Sequence, residues 1–224
     1  MLSLFQKTIL KQTEFKGIGL HSGLQSVVRI TPADENYGII FKRTDLEKNN
    51  IIKANFKNVS SAKLCTTIQN DFNVNISTVE HLLAALYITG IDNALIEINA
   101  SEVPIMDGSS KEFVETILKI GVKEQNAKRK YLKILKKFEF KENEKFISIE
   151  PNKNSLNVDF QLVYSNNVIG KQRNQINFSD EDLSNVYTSR TFCLFEDVEQ
   201  IKKIGLAKGG SLDNAIVVKD NKIL

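Results

Sequence analysis

The sequence predicts an α+β fold built as two similar domains, and three observations carry that prediction. Short apolar runs with a period of two, the signature of strands with one solvated face, recur along the chain. The segments with helical spacing are few and open on capping-box patterns. The two halves also echo each other. Pro32 and Pro151 each separate two strands 119 residues apart, and Asp92-Asn93-Ala94 returns as Asp213-Asn214-Ala215 after 121 residues. With 224 residues, 42% of them hydrophobic, the chain can bury well over half of its unfolded surface.

In chain order, Thr8 to Lys11 reads as a strand, followed by a turn punctuated by Gly17, Gly19 and Gly23, then a strand from Val27 to Ile30 that Pro32 breaks. Ile39 to Phe41 begins another strand. Ser77-Thr78-Val79-Glu80 has capping-box spacing, and Val79, Leu82, Leu83 and Leu86 follow at helical intervals. Because Ala84, Ala85 and Ile88 make the opposite side apolar too, this helix is expected between two layers. A strand spans Ala94 to Ile98. A second helix is expected from Ser109, with Glu112 as capping partner, burying Phe113, Val114, Ile117 and Leu118 and ending at Gly121. The first domain is therefore placed at 1–125.

The second domain, 126–224, is expected to open with strands from Leu132 to Phe140, Lys145 to Ile149 and Leu156 to Tyr164. In the last of these, Leu156, Val158, Phe160, Leu162 and Tyr164 share one face. A third helix is expected from Ser179, ahead of Asp182. The strand Ala215 to Val218 leads into an Asp220-Asn221 turn. By analogy with the first half a helix should follow, so the second domain is read as incomplete; a naturally shorter domain is the alternative.

The net charge of +3 is uneven, since Lys123 to Lys145 holds nine basic and four acidic residues. Leu132, Ile134, Phe138 and Phe140 alternate there with Lys133, Lys137, Glu139 and Lys141, which fits a solvated strand face; a patch for an anionic small substrate is the second reading, and nucleic acid the least favoured. No run approaches the roughly 20 apolar residues that span a bilayer. The N-terminus lacks a signal peptide's apolar core, so a cytoplasmic location is expected. Cys65 and Cys193 are too few and too far apart for a disulfide framework and read as free thiols.

The only histidines are His21 and His81. His21 sits in the glycine-rich run Gly17 to Gly23, where a structural role is the simpler reading. His81 follows Glu80 in the first helical turn, where the helix dipole favours a carboxylate and a neutral imidazole. That pair can hold a metal and accept a proton from water. The competing reading has Glu80 closing a cap on Ser77 and His81 filling an interior gap. No H-E-x-x-H, G-x-S-x-G or cysteine cluster is present. Gly205 to Gly210 is either a close-approach loop beside a ligand or a plain turn.

Taken together, GIGLHSG (Gly17 to Gly23), LCT (Leu64 to Thr66), ISTVEHL (Ile76 to Leu82), GIDNA (Gly90 to Ala94), PIMDGS (Pro104 to Ser109), SRTF (Ser189 to Phe192) and GLAKGGSLDNAIVV (Gly205 to Val218) resemble the UDP-3-O-acyl-N-acetylglucosamine deacetylase family. The resemblance covers essentially the whole chain, with the motifs in family order. It implies two α+β domains whose helices are sandwiched between two sheets. It also implies a zinc hydrolase that removes the N-acetyl group of UDP-3-O-(3-hydroxyacyl)-N-acetylglucosamine in lipid A synthesis.

By the same resemblance, His81 is a zinc ligand, Glu80 the general base and Thr191 the donor to the oxyanion. Leu20, Lys63 and Cys65 approach the mouth of the site. Phe192, Leu194 and Ile204, within an insert at about 191–210, line the passage for the acyl chain, with Leu194 standing where the family commonly has an aromatic residue. Lys145 is a candidate for the uridine diphosphate. The implied partners are this nucleotide-sugar lipid and, transiently, a membrane surface, without nucleic acid. The family's remaining zinc ligands come from a later H-K-x-x-D motif that this sequence does not show. The 224 residues alone are therefore expected to be inactive. A noncatalytic protein binding nucleotide-sugar or acyl chains is the alternative, and another polypeptide supplying the missing helix is a third.

Overall fold

A computed structural model of the chain describes residues 3–153, 155–179 and 182–224. The fold is α+β, with several sheets interspersed with short helices. In the first half, the strands are β1 (Phe5–Ile9), β2 (Thr13–Ile18), β3 (Gln25–Pro32), β4 (Ile39–Arg43), β5 (Ile51–Lys53), β6 (Val59–Ser61), β7 (Thr67–Gln69), β8 (Asn75–Ile76), β9 (Ala94–Ile98) and β10 (Val122–Lys128). The helices are α1 (Glu80–Ile88) and α2 (Lys111–Ile120).

A five-stranded sheet in the order β2-β3-β9-β4-β5 forms the main layer, with β9 antiparallel to β3 and parallel to β4. Its period is legible in β9, where Ala94, Ile96 and Ile98 are buried and Leu95 and Glu97 turn to the other face. As expected, Pro32 ends the strand before it: it is the last residue of β3, opposite Ala94, a position where a missing N–H is tolerated. The helices pack over this sheet, with the Phe15 and Phe113 rings meeting edge to face at 4.8 Å.

Both capping boxes fail. Ser77 Oγ donates to Ser101 O at 3.2 Å, and α1 begins only at Glu80, with Val79 at its N-cap and no side-chain cap. In α2 the N-cap is Ser110, while Ser109 Oγ bonds Asp107 and accepts from Lys111 N. Phe113, Val114 and Ile117 are buried as expected, but Leu118 is 59% exposed because it lies off the stripe the other three define. Ala84, on the expected apolar second face of α1, is exposed as well.

The second half holds β11 (Phe138–Glu142), β12 (Lys145–Ile149), β13 (Asn157–Val163), β14 (Lys171–Asn177), α3 (Ser184–Tyr187), β15 (Phe192–Leu194), α4 (Phe195–Lys203), β16 (Ile216–Lys219) and β17 (Lys222–Ile223). β11 and β12 form one hairpin and β13 and β14 another. The strand expected from Leu132 starts instead at Phe138. Its register pairs Phe138 with Ile149, and Pro151, just past the end of β12, has no N–H to extend the ladder. The face shared by Val158, Phe160 and Leu162 is only partly covered, with Phe160 53% exposed. The third helix starts later than Ser179, as the single turn α3, whose Ser184 N–H is capped by Asp182; residues 180 and 181 of the expected start lie outside the described residues. β15 runs parallel to β16, which turns through Asp220-Asn221 into β17. No helix among the described residues is long and apolar enough to cross a membrane.

Candidate active site

Without a cap to close, Glu80 serves another contact. Its Oε2 accepts the backbone N–H of Thr66 at 3.0 Å, tying the first turn of α1 to the Leu64–Thr66 loop. Immediately before the helix, Thr78 adopts φ 56°, an unfavourable conformation for a β-branched residue. Its hydroxyl donates to Glu102 Oε1 at 2.8 Å. The same carboxylate accepts His21 N–H at 2.8 Å and Ser22 N–H at 2.7 Å. Glu102 thus fastens the glycine-rich loop to the start of α1.

His81, the next residue, is half-buried, and burial holds its imidazole below the usual histidine pKa although Glu80 and Asp107 pull the other way. It is therefore a neutral nitrogen donor at neutral pH. Its carbonyl accepts Ser110 Oγ at 2.9 Å, which links α1 to the loop before α2. Asp107 in that loop is itself held by Ser109 N–H at 3.0 Å and by the Ser109 hydroxyl at 2.6 Å. Burial, and then Asp107, raise the pKa of Glu112 in the first turn of α2.

The second half reaches the same loop. Thr191 N–H donates to Gly108 O at 2.8 Å, and Ile216 N–H donates to Thr191 O at 2.9 Å, continuing the register of β16. Arg190 donates to the carbonyls of Asp107, Leu212 and Asp213. The approach at Gly108 is close: a Cβ there would lie 2.2 Å from Asn214 O, and its φ is +87°. The Gly205–Gly210 loop docks on the glycine-rich loop, with Gly209 N–H donating to Leu20 O at 3.0 Å and Ala207 N–H facing His21 Nδ1 at 3.4 Å. It is a close-approach loop against protein backbone.

Of the residues singled out in sequence, Glu80 and His81 in the first turn of α1 and Thr191, Leu20 and Cys65 in the adjoining loops thus belong to segments that these contacts join. Phe192 lies in β15 with its ring 5.5 Å from that of Tyr164, and Leu194 ends the same strand at the start of α4. Ile204 follows α4 and is 58% exposed. Lys63 is exposed on the Leu64 loop. Lys145 opens β12 at the turn of an exposed hairpin, paired with Glu142. Sequence reasoning missed Glu102, Asp107 and Arg190; the partners of Glu102 and Arg190 lie tens of residues away, while the Asp107 carboxylate is held locally by Ser109. Asp107 and Arg190 stood inside the PIMDGS and SRTF motifs, which was the one signal available.

Among the described residues, no three histidine, cysteine, aspartate or glutamate side chains stand together as a metal-ligand set. A catalytic zinc takes three protein ligands, so the donors described here do not complete a zinc site around His81.

Comparison with known proteins matches residues 6–224 to the family model for UDP-3-O-acyl N-acetylglycosamine deacetylase. Among relatives of that name, the protein of Haemophilus ducreyi is 40% identical over 222 residues, covering 98% of this chain and 72% of the relative. That of Nautilia profundicola is 42% identical over 220 residues, covering 98% and 74%. That of Legionella pneumophila is 41% identical over 222 residues. A family match over nearly the whole sequence, with relatives at this identity, shows that the chain belongs to the UDP-3-O-acyl-N-acetylglucosamine deacetylase family.

Proposed function

We propose that this protein acts as a deacetylase of lipid A biosynthesis, hydrolysing the 2-acetamido group of UDP-3-O-(3-hydroxyacyl)-N-acetylglucosamine and releasing acetate. The observation that carries the reading is the placement of Glu80. One oxygen is anchored by Thr66 N–H, which leaves the other to take a proton from an attacking water. The Thr191 hydroxyl, held at Gly108 by its own backbone, would donate to the oxyanion of the tetrahedral intermediate. The protonated Glu80 would then return its proton to the leaving amine. His81 is the residue we assign to zinc, supported by its neutral imidazole.

For the substrate, we assign Leu20, Lys63 and Cys65 to the mouth of the site, Phe192, Leu194 and Ile204 to the acyl chain, and Lys145 to the diphosphate. We read residues 1–125 and 126–224 as two similar α+β domains with their helices between sheets. The incomplete donor set around His81 favours one alternative for the isolated 224 residues, a chain that binds the nucleotide-sugar lipid without turning it over.

Acetate release and zinc content, measured together, test these roles. Where the zinc donor set is complete, Glu80→Gln should lower turnover roughly 100- to 10,000-fold while leaving bound zinc unchanged, whereas His81→Ala should lower bound zinc. Equal zinc loss in both variants would sink the division of roles. A protein of residues 1–224 alone should hold zinc substoichiometrically and release no acetate; full zinc with turnover would overturn that expectation.

A further inference from the structure

The β6–β7 hairpin and the turn that leads into it stand out by their charge. From Ile51 to Asn70 the chain carries Lys53, Lys57 and Lys63 and no carboxylate, although aspartate and glutamate make up 27 of the 224 residues. All three lysines are exposed. Among them stand apolar side chains that folding leaves in water. Phe56 is 81% exposed, the most exposed aromatic side chain among the described residues, and Leu64 and Val59 are 51% and 43% exposed. Beyond Asn70 the first carboxylate is Asp71, in the turn between β7 and β8.

Polar contacts hold these side chains out. Phe56 opens the 3₁₀ turn Phe56–Asn58, in which no residue is buried. Asn55 Oδ1 accepts Lys57 N–H at 3.0 Å, and the Asn58 side-chain amide donates to Lys53 O at 2.9 Å. Leu64 is kept at φ 65°, a conformation leucine rarely adopts. β6 is an edge strand of the sheet β6-β7-β8. Lysines on an edge discourage aggregation, which accounts for the charge but not for Phe56 and Leu64. Strand addition by a peptide fits poorly, since β6 is three residues long and its register slips between Val59 and Ser61. A folded protein partner needs a packed apolar core at its interface, whereas these side chains stand apart along the chain. A lipid surface needs no matching shape: single aromatic and aliphatic side chains enter the headgroup boundary, and lysines meet anionic headgroups.

We propose that this segment docks the chain on an anionic membrane surface, with Phe56, Val59 and Leu64 entering the headgroup layer and Lys53, Lys57 and Lys63 meeting its phosphates. The loop that closes the hairpin carries Thr66, whose N–H anchors Glu80 and whose carbonyl accepts Val79 N–H at 3.3 Å. A docked hairpin therefore sets the candidate site beside the lipid boundary. That consequence rests on the deacetylase reading, in which Lys63 and Cys65 stand at the mouth for an acylated substrate; the docking itself does not.

The test reads lipid contact, not turnover, so its failure and the failure of the deacetylase reading are separate results. The chain has no tryptophan, so Phe56→Trp supplies a single indole reporter. With phosphatidylglycerol vesicles its emission should shift to shorter wavelength and be quenched by brominated acyl chains, while phosphatidylcholine vesicles should leave it unchanged. Salt at about 1 M, where the Debye length falls to about 3 Å, should reverse the shift. Adding Lys57→Glu should weaken the vesicle affinity read from that shift at least about tenfold. The basic run from Lys128 to Lys137, with the exposed Leu132 and Leu135, is the rival surface. Lys130→Glu with Lys133→Glu should leave the Phe56→Trp shift in place. An emission that phosphatidylglycerol does not move, an equal response to phosphatidylcholine, or a shift that survives Lys57→Glu but is lost with the Lys130 and Lys133 pair overturns the proposal.

Discussion

Nine non-glycine residues in the described chain have positive φ, and they divide by chemistry. Asn36, Asn49, Asn73, Asn143 and Asp220 are the residue types that tolerate this conformation. Leu64, Thr78, Met106 and Ala207 are not, and each flanks a contact of the candidate site: Cys65, Glu80, Asp107 and His21 respectively. Strain of about 1–3 kcal/mol per residue persists only where the surroundings over-determine it, and at Thr78 the surroundings are Glu102. Glu102 is 1% exposed and accepts from Thr78, His21 and Ser22.

Glu102→Ala would orphan two backbone donors and release Thr78, so an unfolding free energy lower by about 3 kcal/mol is expected in urea titration. A loss below about 1 kcal/mol, the value of a single net hydrogen bond, would show that the loop does not depend on this carboxylate. Glu80 and His81 were legible in the sequence because their adjacency is itself the signal. Glu102 was not, since its partners in the glycine-rich loop are 80 and 81 residues upstream. The capping box on Ser77 fails for the same reason: Thr78, its first helical position, would need right-handed helical φ but takes φ 56° where its hydroxyl meets a distant carboxylate.

At the scale of elements, β9 and β12 were placed in the sequence with the boundaries the structure gives, because turn residues bracket them. β11 was not, because alternation records only which side chains share a face, while pairing decides where a strand begins. The hairpin of β13 and β14 shows what holds such an element where burial is slight. Arg173 donates to both carboxylate oxygens of Asp159 from the facing strand, and Gln175 adds a third bond. These contacts, Arg173 first, lower the Asp159 pKa from 3.8 to about 2. Because the folded value lies below the unfolded one, the contribution is present above 3.8 and is lost as pH falls toward about 2. A carboxyl titration followed by NMR should find Asp159 with a midpoint near 2 and, in Arg173→Ala, raised toward 3.8 but held below it by the remaining Gln175 bond. A midpoint of 3.8 in the unaltered chain would mean that the pair does not form in solution.

Across the whole molecule, burial is lopsided. Past Arg129 the buried apolar side chains are Ile169, Ala215 and Val218, whereas Phe138, Phe140, Phe146 and Ile147 are each more than half exposed. Residues 187–218 are therefore held less by a core of their own than by backbone bonds to the first half. Ser110 N–H reaches Tyr187 O, Thr191 N–H reaches Gly108 O and Gly209 N–H reaches Leu20 O. Gly108 is where this docking is least forgiving, because the atom a Cβ would strike, Asn214 O at 2.2 Å, is backbone and cannot rotate away. Gly108→Ala should free the segment while sparing the sheet. In hydrogen exchange, the Ser110, Thr191 and Gly209 amides should exchange at least about tenfold faster, with those of β9 unchanged. Gly38→Ala separates overlap from backbone strain, since Gly38 also has positive φ, +76°, but nothing within 4 Å of its Cβ position. That variant should leave the exchange of 187–218 unaltered. If the two substitutions loosen the segment alike, backbone strain alone explains the effect, and the crossing at Gly108 is not what joins the halves.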